Sequence, residues 1–148
     1  MTTDITQIKC LITDDHKLAA QIINNGLASL NIQKYEFNAS VNAANGLVAY
    51  EKLELAHKEG IPFDIVFLDW NMPEMNGYDL LCKCRADKKY DQTAFVMVTA
   101  ESEQNSILEA MSAGATSYIS KPFVAADLEK KLLTTIKWLE AKREPSKP

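Results

Sequence analysis

The most constraining feature of this sequence is a regular alternation of short strand-like runs with longer helical patterns. Five runs have the length and pattern of β-strands: IKCLIT (8–13), YEFNASV (35–41), DIVFLD (64–69), AFVMVT (94–99) and SYIS (117–120). Helical periodicity follows each run, over about residues 17–30, 43–58, 78–87, 102–113 and 125–141. Parallel strands need crossover connections, so the order predicts an α/β fold with five helices covering both faces of a parallel sheet. Right-handed crossovers favour a doubly wound, open five-stranded sheet.

The apolar residues of the first two helical segments predict which helix faces meet the core. The first helix is predicted to use Leu18, Ile22, Ile23 and Leu27. The second is predicted to use Leu47, Tyr50, Leu53 and either Leu55 or Ala56.

Composition limits the function classes. A chain of 148 residues fits one domain, which we place at residues 1–142, followed by a frayed polar tail at 143–148 and no output domain. A net charge of −4 without a basic stripe argues against nucleic acid as a direct partner. The sequence has neither a membrane-length apolar stretch nor a signal peptide pattern. We therefore expect a monomeric cytoplasmic protein that does not bind membranes.

The three cysteines predict neither a metal site nor a disulfide. Cys10 lies in a strand-like run and is expected to be a small buried hydrophobe. Cys82 and Cys84 are two apart on a predicted helix, so they point to different faces. His16 and His57 are not spaced to complete a cysteine metal site.

Ionisable or hydroxyl side chains follow four of the five predicted strands. The carboxyl ends of parallel strands meet at one edge of the sheet, where doubly wound folds bind their ligands. The residues predicted to meet there are Asp14, Asp15, Asp69, Thr99, Ser120 and Lys121. Each of them alone has an ordinary explanation: an Asp-Asp pair often makes a turn and a helix cap, and a threonine or a lysine is common at such positions.

Taken together, these side chains predict phosphoryl chemistry. Three clustered carboxylates repel one another unless a hard dication neutralises them, and Mg²⁺, with Mn²⁺ as a possible substitute, suits such oxygen ligands. Lys121 supplies a mobile positive charge for a phosphoryl oxygen, and Thr99 supplies a hydroxyl donor. Asp69 ends an apolar strand and is predicted to be the nucleophile that carries the phosphoryl group.

The chain resembles response-regulator receiver domains over about residues 7–140. The matching segments are LITDD (11–15), IVFLDWNMPEMNG (65–77), VMVTA (96–100) and AGATSYISKPF (113–123). DWNMP, VTAE and SKPF are most similar to the CheY-type single-domain regulators. The resemblance implies a flavodoxin-like fold with strand order 2-1-3-4-5.

The resemblance also assigns roles to individual residues. Asp69 would accept a phosphoryl group from a histidine kinase or a histidine phosphotransfer protein. Mg²⁺ would be bound by Asp15, Asp69 and the backbone carbonyl of Asn71, while Asp14 would act through a metal-bound water. Thr99 and Lys121 would bind phosphoryl oxygens.

Further implied roles concern the switch and its lifetime. Tyr118 would turn inward as Thr99 moves toward the phosphate, although a half-buried strand tyrosine without this role is the alternative. Asn71 and Glu101 would influence how fast the phosphoryl group is hydrolysed. Lys121 and Pro122 would be joined by a cis peptide.

The sequence therefore predicts a stand-alone regulator whose helix 4, strand 5 and helix 5 form a switchable protein-binding surface. The target could be a flagellar motor switch, another regulator or an enzyme. Residues 31–63 match the family poorly, and the first helix lacks the basic pair of the chemotaxis protein, which leaves the partner open.

Two other functions remain to be weighed. A Mg²⁺-dependent haloacid-dehalogenase-type phosphatase also uses a strand-end aspartate, but it needs a general acid two residues later, where this chain has Asn71. A flavodoxin-type nucleotide binder would not place TDDHKL, with its negative charges, where an anion sits.

Overall fold

The computed structural model describes residues 6–30, 32, 34–100 and 104–143. Five strands and five α-helices alternate along these residues, as predicted. The strands are β1 (Thr6–Thr13), β2 (Tyr35–Ala43), β3 (Ile65–Leu68), β4 (Ala94–Thr99) and β5 (Ser117–Ser120). The helices are α1 (Lys17–Ser29), α2 (Gly46–Lys58), α3 (Gly77–Arg85), α4 (Gln104–Ala113) and α5 (Ala125–Arg143).

The strands form one parallel sheet with the order β2-β1-β3-β4-β5. The predicted fold class and strand order are therefore confirmed. The order reverses between β1 and β3, which pair from Cys10 opposite Ile65 to Thr13 opposite Leu68. A crevice opens at such a reversal, beyond the carboxyl ends of the two strands. The next residues of both strands, Asp14 and Asp69, begin the loops there.

The core lies on both faces of the sheet because successive strand residues point to opposite sides. All four residues of β3 are buried. Val66 and Leu68 pack with α2, α3 and α4, whereas Ile65 and Phe67 pack with α1 and α5. A strand covered on both faces reads as a continuous apolar run, which explains the pattern seen in the sequence.

The predicted apolar face of α1 was half wrong. Ile23 and Leu27 are buried, but Leu18 is 71% exposed and Ile22 is 47% exposed. The helix turns its 20, 23 and 27 positions toward the sheet, with Ala20 packing against the core. Leu18 and Ile22 lie on another side of the helix and remain at the surface.

In α2 the buried face is formed by Ala49, Leu53 and Ala56. Of the two alternatives for the end of its stripe, Ala56 is the buried one and Leu55 is exposed. Leu47 is also exposed, contrary to the prediction. Small alanine side chains bring this helix close to the sheet.

Several boundaries moved by a few residues for identifiable reasons. β2 continues to Ala43, whose carbonyl accepts a hydrogen bond from the Asp14 N–H at 3.0 Å. α2 therefore begins only at Gly46, after Asn45 caps it by accepting from the Val48 N–H at 2.9 Å. α3 ends at Arg85, and a short 3₁₀ helix, Lys88–Tyr90, follows it.

The last helix is longer than predicted. Arg143, placed by the sequence in a frayed tail, is the final residue of α5 and forms an ion pair with Asp64. The rest of that predicted tail, 144–148, lies outside the described residues. None of the helices in the described part of the chain is long and apolar enough to cross a membrane.

Candidate functional site

Two buried aspartates stand side by side at the carboxyl ends of the central strands. The Asp69 N–H donates to the Thr13 carbonyl at 3.0 Å, which continues the β1–β3 ladder by one residue. Asp14 is anchored in the same way to the end of β2 through Ala43. Each aspartate is only 6% exposed. Burial places two negative charges where water screens them poorly, so they require positive charge nearby.

Lys121 supplies part of that charge. Its N–H donates to the Thr99 carbonyl at 2.8 Å, and this bond fixes the lysine at the end of β5. Its Nζ lies 2.7 Å from Asp14 Oδ2 and 3.4 Å from Asp69 Oδ2. The Lys121–Pro122 peptide is cis, as the family resemblance implied. One ammonium group thus serves two buried carboxylates.

Asp15 and His16 form the outer wall of the site. The His16 Nδ1 atom lies 3.0 Å from Asp15 Oδ1 and 3.4 Å from Asp14 Oδ1. Asp14, Asp15, His16 and Asp69 each offer a ligand atom, and these four atoms lie within 4.8 Å of one another. Three carboxylates and an imidazole at this spacing fit a divalent cation.

His16 is the member of the site that the sequence reasoning missed. Histidines were considered only as partners for cysteines, and the nearest cysteine in the sequence, Cys10, is buried inside the sheet. The available signal was the position of His16 directly after the Asp-Asp pair, before the first helix.

The loop after Asp69 folds back against it. The Gly77 N–H donates to the Trp70 carbonyl at 2.9 Å, and a Cβ at position 77 would overlap the Asp69 carbonyl oxygen. The glycine therefore permits a close approach that sets the position of the acid. Trp70 is half-buried and stacks on Tyr78, with ring centroids 4.9 Å apart and planes 12° apart.

The remaining predicted residues fall as follows. Thr99 is fully buried at the end of β4, opposite Ser120 in the β4–β5 register. Tyr118 is also buried, and it lines a cleft of about 500 Å³ between α4, β5 and α5. Asn71 is exposed in the loop after Asp69. Glu101 lies outside the described residues.

The cysteines lie away from this site, and Cys10 is buried in the sheet as predicted. All three are free thiols. Cys10 and Cys84 are buried, whereas Cys82 is half-buried. Burial raises the pKa of Cys84 to about 12 and raises the pKa of Cys10 even further above its ordinary range. Both buried thiols remain protonated at neutral pH.

The fold and this site together define a receiver domain. The family model described as response regulator receiver domain matches residues 10–133. The chain therefore belongs to the response-regulator receiver family, whose members act in two-component signalling and are generally signalling proteins rather than enzymes. This match does not support the alternative assignment as a phosphatase.

The relatives indicate the CheY-like branch. The chain is 42% identical to chemotaxis protein CheY-3 of Vibrio cholerae over 125 residues, or 84% of this chain and 88% of the relative. It is 35% identical to chemotaxis protein CheY1 of Helicobacter pylori over 125 residues, or 84% of this chain and 94% of the relative. A structure of the CheX–CheY–BeF₃–Mg²⁺ complex from Borrelia burgdorferi is similar, with a TM-score of 0.74, 25% identity and coverage of 87% and 89%.

Proposed function

We propose that this protein is a response regulator that accepts a phosphoryl group on Asp69 in the presence of Mg²⁺. The donor is a histidine kinase or a histidine phosphotransfer protein. The observation that carries the proposal is the pair of buried carboxylates, Asp14 and Asp69, which share the Lys121 ammonium at 2.7 and 3.4 Å. A purely structural aspartate would have its own positively charged partner, as Asp64 has in Arg143. Asp69 instead shares one ammonium group with a second buried acid.

Asp15, Asp69 and the Asn71 backbone carbonyl are the proposed ligands of Mg²⁺, and Asp14 acts through a bound water. Mn²⁺ would fit the same oxygen donors. When bound, the cation neutralises the acids and the incoming phosphoryl oxygens. The spacing of the carboxylates within 4.8 Å supports this arrangement.

In the proposed transfer, an Asp69 carboxylate oxygen forms a bond to phosphorus. The bond from phosphorus to the donor's imidazole nitrogen breaks, and its electron pair leaves with that nitrogen. Lys121, already within 3.4 Å of Asp69 Oδ2, then pairs with a phosphoryl oxygen. The Thr99 hydroxyl is the proposed second donor to the phosphoryl group.

An apolar surface beside the acceptor fits the approach of a helical phosphodonor. A cleft of about 320 Å³ opens between α1 and the loop after β5. Its lining residues are Ala19, Ile22, Ala100, Lys121, Pro122 and Phe123. Lys121 belongs to both this cleft and the acidic site, so a partner docked here reaches the acceptor. The exposed aliphatic side chains of Leu18 and Ile22 enlarge the surface.

The proposed output surface is the face of α4, β5 and α5. Tyr118 connects it to the site because it lies in β5, two residues before Ser120, which pairs with Thr99. Repacking of Thr99 around a phosphoryl group would change the room available to Tyr118 and hence the cleft between these elements. A target protein that prefers one arrangement would bind according to phosphorylation. The target itself is not specified: it could be a flagellar motor switch, another regulator or an enzyme.

Three further assignments stay predictions: the monomeric state, the cytoplasmic location, and the absence of direct nucleic-acid or membrane binding. The proposed effect of Asn71 and Glu101 on the lifetime of the phosphoryl group also stays a prediction. The only turnover expected is slow release of the protein's own phosphoryl group. Steady hydrolysis of a generic phosphomonoester would instead favour the phosphatase alternative.

The test uses the two aspartates that flank β3. Asp69→Asn should abolish labelling by acetyl phosphate and Mg²⁺, as measured by intact-protein mass spectrometry. Asp64→Asn, at the other end of the strand, should label like the wild type. Circular dichroism should show the same folded structure for all three proteins.

Two outcomes would contradict the proposal. One is undiminished aspartyl phosphate on the Asp69→Asn protein. The other is a wild-type protein that is not labelled by acetyl phosphate with either Mg²⁺ or Mn²⁺. Loss of labelling in Asp64→Asn with an intact fold would show that the chemistry is not localised at the carboxyl end of β3.

A further inference from the structure

His16 is held against the acidic site by its own backbone. It precedes α1 with an extended backbone conformation, φ −102° and ψ 111°. Its N–H donates to Asp14 Oδ1 at 2.9 Å, and its imidazole Nδ1 lies 3.4 Å from the same oxygen. The main chain and the ring therefore approach one side of the Asp14 carboxylate.

The two sides of that carboxylate face different groups. Asp14 Oδ2 is 2.7 Å from the Lys121 ammonium, deep in the site. Asp14 Oδ1 faces His16, and Asp15 Oδ1 lies 3.0 Å from the same imidazole nitrogen. The imidazole and Lys121 therefore contact different oxygens of Asp14, and only the imidazole can act as a metal ligand, because an ammonium group has no free electron pair.

The outer side is also open to solvent. The side chains of His16 and Asp15 are 70% and 30% exposed. A cleft of about 500 Å³ borders Asp14 and Asp15, with Lys17 and Asn42 on its other walls. The cleft gives a hydrated cation access to the Asp14 and Asp15 carboxylates, and the His16 side chain beside them is open to solvent.

We propose that His16 is a nitrogen ligand of the cation site. The ratio of Co²⁺ or Zn²⁺ affinity to Mg²⁺ affinity is then higher than it would be for a site with oxygen ligands only. This inference rests on the proposed metal site. Oxygen-only sites suit Mg²⁺, whereas imidazole favours the later transition metals, whose affinities rise along the first row. The donors are then Asp15, Asp69, His16 and the Asn71 backbone carbonyl, and Asp14 acts through a bound water.

The alternative is that His16 only hydrogen-bonds to Asp15 and never binds the metal. The chain contains two histidines, and the second one provides a matched control. His57 lies in the last turn of α2, with its ring 6.2 Å from that of Tyr90, and it contributes no atom to the acidic cluster. Binding of Mg²⁺, Co²⁺ and Zn²⁺ should be measured by calorimetry for the wild type, His16→Gln and His57→Gln.

The expected result is that His16→Gln lowers the ratio of Co²⁺ to Mg²⁺ affinity by roughly 10- to 100-fold, in the range found when groups that support a metal site are removed. His57→Gln should keep the wild-type ratio. The Co²⁺ form of the wild type should also show a strongly shifted imidazole N–H proton in its NMR spectrum, and this signal should be missing from His16→Gln.

The measurements distinguish a failure of the His16 proposal from a failure of the proposed metal site. An unchanged Co²⁺ to Mg²⁺ ratio in His16→Gln, or a shifted imidazole signal that survives in that variant, would overturn the role of His16 while leaving the Mg²⁺-dependent phosphoacceptor intact. A wild-type protein that binds none of the three ions would overturn both this inference and the proposed metal site.

Discussion

Strand β3 has an aspartate next to each of its ends, and these two identical side chains differ in their partners and in their burial. Asp64 precedes the strand at the amino end of the sheet, and Asp69 follows it at the carboxyl end. Asp64 Oδ1 pairs with Arg143 Nη1 at 2.7 Å, and its Oδ2 accepts from the Lys9 N–H at 2.8 Å. Each oxygen has its own partner.

Asp69 is placed among competing charges instead. It is more buried than Asp64, with a side chain 8% exposed against 17%. It shares the Lys121 ammonium with Asp14, which holds that ammonium at the shorter distance. Asp64, with its own partners, stabilises the fold, whereas the shared countercharge of Asp69 fits its proposed role as the residue that reacts. The two residues are of the same type, so the difference between their roles comes from their tertiary surroundings.

The largest effect in this comparison is expected at Gly77, beyond the carboxyl end of the strand. Gly77→Ala should slow labelling by acetyl phosphate by about 100-fold, because displacing Asp69 by a fraction of an ångström destroys the geometry of attack. The added Cβ meets the Asp69 carbonyl oxygen, which belongs to the backbone and cannot swing away. Labelling rates followed by mass spectrometry provide the measurement.

Gly60→Ala is the control at the amino end. A Cβ there meets nothing within 4 Å, although the φ of +77° strains a non-glycine residue. We expect a loss of about 1 kcal/mol of stability and an unchanged labelling rate. If the two alanine variants were labelled at equal rates, the carboxyl end of β3 would be no more important for labelling than its amino end.

The next effect is a difference in stability between the acids. Asp64→Asn should lower the free energy of unfolding by about 1 kcal/mol, because the charge opposite Arg143 is lost at a partly exposed site. Asp69→Asn should leave it unchanged or raise it, because the repulsion between two buried carboxylates disappears. Urea unfolding without divalent cations measures both.

A double-mutant cycle sharpens the first half of that prediction. Arg143→Gln should cost about as much as Asp64→Asn, and the double variant should cost little more than either single one. Full additivity would show that the 2.7 Å contact contributes nothing. Strong destabilisation by Asp69→Asn would show that this acid, too, has a structural role.

A smaller effect is optical. The chain has two tryptophans, and Trp70 directly follows Asp69 while Trp138 lies in α5 beneath Arg85. Mg²⁺ should change the fluorescence of the wild type in a saturable way, because Trp70 directly follows Asp69, the proposed acceptor. Trp138→Phe should keep this change and Trp70→Phe should lose it. The reverse outcome would place the metal response away from the carboxyl end of β3.

The smallest effect extends the comparison from acids to thiols. Cys82 and Cys84 lie on the same helix, but burial raises the pKa of Cys84 from near 9 to about 12. Iodoacetamide at pH 8 should therefore modify Cys82 and spare Cys84, as peptide mass spectrometry can show. An unfolded chain releases the Cys84 proton near pH 9, so stability should fall as the pH rises from 9 toward 12. Modification of Cys84 in the folded protein at pH 8 would contradict this.

The strand order was predicted from the family resemblance, whereas the meeting of Asp14, Asp69 and Lys121 was predicted from the sequence pattern itself. Buried parallel strands are continuous apolar runs, and their carboxyl ends must share an edge. Residues far apart in the chain could therefore be assigned to one place. The helix surfaces were harder, because several faces of an apolar helix satisfy the same periodicity; the exposure of Leu18 and Ile22 shows this.

The sequence by itself determined the elements, their order and the acids that end the strands, since these follow from local periodicity and from the direction of parallel strands. Only the tertiary structure decided that Arg143 pairs with Asp64 and that His16 turns toward the acids. The Arg143–Asp64 contact depends on the distance between elements that are far apart in sequence. The direction of the His16 ring depends on the backbone conformation before α1, which the residue types alone do not fix. For the same reason, the pattern around Asp64 gave no sign that its carboxylate is held by Arg143 and the Lys9 N–H.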